Sequence, residues 1–83
     1  MEREILELHN DSPDPLQIWV EPWGEELAVG PGMTWKLMDS MDPPSGVSVT
    51  YRRDGLAIYV MSDAIIRWME GERVVWKLNQ TKE

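Results

Sequence analysis

In Leu16-Gln17-Ile18-Trp19-Val20-Glu21, and again in Val47-Ser48-Val49-Thr50-Tyr51-Arg52, a large apolar side chain stands at every second position. A period of two lines one face of a strand and cannot line one face of a helix. About seven or eight such runs follow one another, separated by Gly, Pro, Asn and Asp, which make turns through backbone freedom, a fixed φ or a local side-chain acceptor. Arg53-Asp54-Gly55 and Glu70-Gly71 mark hairpins, because glycine takes the positive φ that a tight turn demands. Short strands at this spacing predict an all-β fold, an antiparallel β-sandwich or small barrel with jelly-roll or Greek-key-like connections. The expected domain spans residues 1–83, with residues 79–83 a frayed tail. Ser62 to Gly71 admits two readings: a short helix capped by Ser62 and stopped by Gly71, or a strand, which the β-branched Ile65 and Ile66 favour.

Alternation sends Leu6, Leu8, Leu16, Ile18, Val20, Leu27, Val29, Met33, Trp35, Leu37, Val47, Val49, Tyr51, Leu56, Ile58, Val60, Ile66, Trp68, Val74, Trp76 and Leu78 inward. At 83 residues such a core barely offsets chain entropy, since ordering costs about 1.5 kcal/mol per residue. Trp35, Trp68 and Trp76 therefore carry weight, each burying ~150–250 Å². There is no cysteine, so no disulfide, thiolate metal site or thiol nucleophile assists, and the chain suits a reducing compartment. The opening Met1 to Asn10 is acidic and alternating, unlike a secretory signal; the expected location is cytoplasmic, off the membrane. A net charge of -7 opposes phosphate-backbone binding, so nucleic acid is not an expected partner. Residues 1–46 hold ten acids and two bases, giving -8; residues 47–83 hold five acids and six bases, giving +1. In a small sandwich the two halves are expected to interleave and cancel this asymmetry. The competing reading is an acidic surface for a cationic partner.

The same alternation that buries Ile18 and Val20 turns Trp19 and Glu21 outward. It places Met38, Ala57, Tyr59, Met61, Ile65, Met69 and Val75 outward as well, an apolar outer surface suited to an adaptable protein contact. Because strand direction reverses at each hairpin, the Glu21–Glu26 turn, the Asp39–Gly46 loop and Ser62-Asp63 are expected at one end. Glu21, Glu25, Glu26, Asp39, Asp42 and Asp63 would then surround Trp23 and attract a cationic partner; Asp39 to Pro44 lacks the ligand spacing of a calcium loop. In Trp19-Val20-Glu21-Pro22-Trp23-Gly24, Pro22 and Gly24 make the turn and Trp23 caps the open end of the sandwich. The competing role for Trp19 and Trp23 is a pair of exposed platforms. His9 is the only imidazole, so neither a histidine-rich metal site nor a catalytic triad with supporting context is available. Gly30-Pro31-Gly32 is too short for a phosphate loop and its proline removes an amide.

The segment Leu8 to Gly32, with Asn10-Asp11-Ser12, Pro15-Leu16, Trp19-Val20-Glu21-Pro22-Trp23-Gly24 and Pro31-Gly32, resembles small bacterial proteins of unknown function that share an N-terminal strand, this tryptophan turn and a Pro-Gly turn. The resemblance implies a compact β-sandwich and brings no catalytic or binding residues. In layout alone the Pro-Gly turn is also similar to cupredoxin-like sandwiches, but a blue-copper site needs two histidines and a cysteine. The expected function is a non-enzymatic interaction or structural module without cofactor. It would contact a foreign protein or a second copy through the outer face and the acidic end. The alternative is a small-ligand or carbohydrate-binding module using Trp19 and Trp23.

Overall fold

The computed structural model describes residues 2–40, 46–60 and 66–78. The strands are β1 (Arg3–His9), β2 (Leu16–Glu21), β3 (Glu25–Val29), β4 (Thr34–Asp39), β5 (Val47–Arg52), β6 (Gly55–Val60), β7 (Ile66–Glu70) and β8 (Arg73–Leu78). They form two four-stranded sheets, ordered β1-β4-β7-β8 and β3-β2-β6-β5, so the expected all-β sandwich is what the chain adopts. The ambiguous segment is a strand from Ile66 to Glu70; residues 61–65 lie outside the described ones. Neighbours pair antiparallel except β2 and β6, which run parallel because the β2–β3 and β5–β6 hairpins lie side by side with their inner strands in the same direction.

Ile18, Val20, Val29, Trp35, Leu37, Ile58, Val60, Ile66 and Trp68 form the buried core between the sheets, all from positions that alternation sends inward. The Trp35 and Trp68 rings meet tilted at 48° with centroids 5.8 Å apart, a favourable aromatic geometry. Among the described residues the Trp68 indole N–H meets no acceptor, a cost that the burial of so large a ring offsets.

Four inward expectations fail: Met33 is 40% exposed, Val49 43%, Tyr51 80% and Val74 42%. Val49 and Tyr51 do follow the inner-face alternation, but β5 is an edge strand and the facing sheet does not cover it. Val74 fails for another reason. Trp68 pairs with Trp76 and Met69 with Val74, leaving Val75 as an extra residue in β8. Such a bulge shifts the alternation by one, so Val75, expected outside, packs against the core beside Trp76, and Val74 turns out. A second irregularity between Glu4 and Leu6 lets both Ile5 and Leu6 reach the core. Ala57, also expected outside, is fully buried.

Asn10 is 3% exposed, and its carboxamide is satisfied on both sides. Nδ2 donates to the carbonyls of Asp14 at 2.8 Å, Val29 at 2.9 Å and Gly30 at 3.2 Å. Oδ1 accepts from the Ser12 amide at 3.1 Å and hydroxyl at 2.8 Å. The Asn10 backbone donates to Met33 and accepts from Gly32. One side chain thus joins the end of β1, the start of β2 and the turn after β3. It also fixes the edges: β1 and β3 lie on the same side of the sandwich. The chain's first four strands therefore occupy one lateral half of both sheets and the last four the other. The charge asymmetry survives folding, contrary to the expected interleaving.

Asn10→Asp is nearly isosteric but turns an oxygen toward three carbonyls. It is expected to destabilise by about 2–4 kcal/mol, as is Asn10→Ala, with Ser12→Ala nearer 1; urea unfolding midpoints measure the difference. A Cβ on Gly55 would enter the Gln17 carbonyl of the neighbouring strand, far inside van der Waals contact. Gly55→Ala is therefore expected to cost more than about 2 kcal/mol, read from the same unfolding curves.

Candidate functional site

The outer face of the β3-β2-β6-β5 sheet gathers the polar-aromatic groups. Register aligns Glu26, Trp19, Ala57 and Thr50 in one row, and Glu21, Tyr59 and Ser48 in the next. Gly55 and Ala57 are small, so the middle of this face has a depression that neighbouring side chains can cross. Arg52 reaches in from β5, its guanidinium carbon 5.3 Å from the Trp19 ring centroid. It also donates to the Tyr59 hydroxyl at 3.1 Å and stands 3.9 Å from Glu21 Oε2. On the far side the Trp19 indole N–H donates to Glu26 Oε2 at 3.2 Å. Trp19 and Arg52 meet across β6 and cover Ala57, which explains its burial against the expectation that it faced solvent.

Among the described residues there is no cavity that would enclose a small molecule, and no three His, Cys, Asp or Glu side chains converge as metal ligands. His9 bonds through Nδ1 to Thr34 Oγ1 at 2.7 Å at the end of β1, a local contact between neighbouring strands.

The expected apolar surface divides. Trp19 and Tyr59 lie on this outer face. Met38 and Met69, half-buried, lie on the outer face of the opposite sheet, among Glu4, Lys36, Arg67 and Val74. Val75 points inward, as described, and Met61 and Ile65 fall outside the described residues. The predicted residues do not make one patch, because alternation specifies the outer side of each strand but not which of two sheets the strand joins.

The acidic end is also thinner than expected. Strand direction does bring the β2–β3 turn to the same end as the last residue of β4 and the first residues of β5 and β7. Asp39, however, is fully buried, opposite Arg3 in register, and cannot serve as a surface acid. Glu21 turns to Arg52 and Glu26 to Trp19; Glu25 is exposed, and Asp42 and Asp63 lie outside the described residues. Trp23 is half-buried against the core, the capping role expected of it, with Gly24 beside it at φ 71°. Trp19 and Trp23 therefore sit on opposite sides of their sheet and form no paired platform.

Arg52 is the participant that sequence reasoning passed over. Its signal was present in the outward glycine and alanine two apart in β6, which leave room for a long side chain from the next strand. Compared with protein-family models, with curated proteins and with solved structures, the chain matches none, so no role is carried here from a relative.

Arg52 is partly exposed, so its contact with Trp19 is expected to be modest. A double-mutant cycle of Trp19→Ala and Arg52→Ala should give a coupling of about 0.5–1 kcal/mol in denaturation experiments. Additive losses would mean that the two side chains merely lie near each other.

Proposed function

We propose that this protein is a non-enzymatic interaction module of the cytosol that binds another polypeptide through the β5–β6 side of its second sheet. One observation carries the reading: of the five large apolar side chains exposed among the described residues, Val49, Tyr51 and Tyr59 belong to this one hairpin. Trp19 and Arg52 lie beside Tyr59 on the outer face, while Val49 and Tyr51 stand on the inner side of the same edge; aromatic and arginine side chains are the types enriched where proteins meet. Among the described residues no cavity encloses a small molecule, whereas a small-molecule site is concave. A chain without cysteine suits a reducing compartment. Carbohydrate binding through Trp19 and Trp23 has less support, since the two rings face opposite ways.

The test places a photo-crosslinking phenylalanine analogue at Tyr59 and, as a control, at Lys36 on the opposite outer face. A covalent adduct to a polypeptide from Tyr59 and not from Lys36 is the expected result. Equal adducts from both positions, or none from Tyr59, would refute the reading.

A further inference from the structure

The four sheet edges are not equivalent. β1 carries Arg3, Glu4 and Glu7 and has an irregular register. β3 has five residues, two of them Glu25 and Glu26. β8 carries Arg73 and Lys77 and is bulged at Val75. Charge, short length and bulges are the devices that keep strand edges from pairing with other chains. β5 has neither a bulge nor a shortened ladder, and its one charge, Arg52, stands at its last position and lies over Trp19. It runs six residues in unbroken register with β6, and from Val47 to Tyr51 it bears no charge. Every second residue of such an edge turns its N–H and C=O away from the neighbouring strand, and on that side no described strand pairs with β5. Val49 and Tyr51, 43% and 80% exposed, flank this open ladder.

We propose that β5 pairs antiparallel with β5 of a second copy of this chain, about a two-fold axis at Val49, joining two sheets into one continuous sheet. The proposal deepens the interaction reading above and rests on it. The sequence of β5 is complementary to itself in this register. Val49 meets Val49 of the partner subunit, Val47 meets the partner's Tyr51, and Ser48 meets the partner's Thr50. Apolar side chains then lie opposite apolar ones on one face and hydroxyls opposite hydroxyls on the other, the cross-strand pairings that stabilise sheets. A two-fold axis normal to the sheet keeps each side chain on its own face, so only registers centred on a residue satisfy the alternation. Charge agrees. Each copy carries -7, but the acids concentrate in the lateral half built from β1 to β4. Between Val47 and Val60 there are two arginines and one aspartate. Pairing at β5 places the acidic halves at the two outer ends, where their repulsion is least.

Sedimentation equilibrium across a dilution series, with circular dichroism to confirm the fold, is the test. Wild type is expected to pass from monomer to dimer as concentration rises, and to stop there. Tyr51→Lys alters a mostly exposed side chain and acts twice in a two-fold dimer, so it should weaken association about tenfold or more while the fold is kept. Because the chain has no cysteine, an introduced one reports register. Val49→Cys should form an intermolecular disulfide faster than Tyr51→Cys, although Tyr51 is the more exposed position. In the proposed register two copies of residue 51 are about 14 Å apart along the strands, at about 3.4 Å per residue. A monomer at every concentration, a dimer indifferent to Tyr51→Lys, crosslinking as fast at 51 as at 49, or growth beyond a dimer would each overturn self-pairing at β5. A monomer that still gives a Tyr59 adduct to a foreign protein would overturn self-pairing and leave the interaction reading intact.

Discussion

The sandwich hangs together at one end on the side chain of Asn10. Two sheets that share no strand hold their alignment through packing, which is tolerant of sliding, and through connections, which are not. Asn10 turns two connections into one unit: its amide nitrogen holds the carbonyl of Asp14 in the β1–β2 crossing and those of Val29 and Gly30 where the β3–β4 crossing begins, while its oxygen holds Ser12. A buried carboxamide with every position used is stabilising; the same group with one partner lost is costly. Because β1 and β3 are pinned side by side, the remaining order follows. β4 continues from the held turn, β2 pairs with β3, and the later strands add outward on both sheets.

That order has consequences for the surface. The first four strands take one side of each sheet and the last four the other, so the acid-rich and the near-neutral parts of the chain stay apart in space. It also leaves β5 as an edge of the second sheet. The core beneath is filled from the central strands, where Ile18, Val20, Ile58, Leu37 and Trp68 meet, while the inner side of β5 runs past the opposite sheet. The exposure of Val49 and Tyr51 is thus a product of sheet width and strand position. The polar-aromatic cluster has a similar origin: Gly55 cannot carry a Cβ against β2, and that gap with Ala57 lets Arg52 lie toward Trp19.

Much of the architecture was legible in the order of residues. Period-two alternation and glycine-proline punctuation identify the strands and the apolar inner residues of β2, β4, β6 and β7. Trp23 was correctly placed as a cap. The failures share a cause. Alternation says which residues share a face, and a single inserted residue reverses it; nothing in Arg73-Val74-Val75-Trp76 announces the bulge opposite Trp68. Nor does alternation say whether a face is covered, which misplaced Val49 and Tyr51, or to which sheet a strand belongs, which scattered the apolar patch expected around Trp19 and Met38. Asp39 has the polarity of a turn residue, but its register in β4 puts it on the inner face.

By itself the sequence determined the all-β class, the strands and most of the core, because side-chain period and turn chemistry are local and act within a few residues. Only the tertiary structure decided which strands became edges, where bulges shifted the frame, and which side chains meet on the second sheet's outer face. Those outcomes depend on contacts between residues far apart in the chain, such as Trp19 with Arg52 and Asn10 with Val29, and no local pattern encodes them.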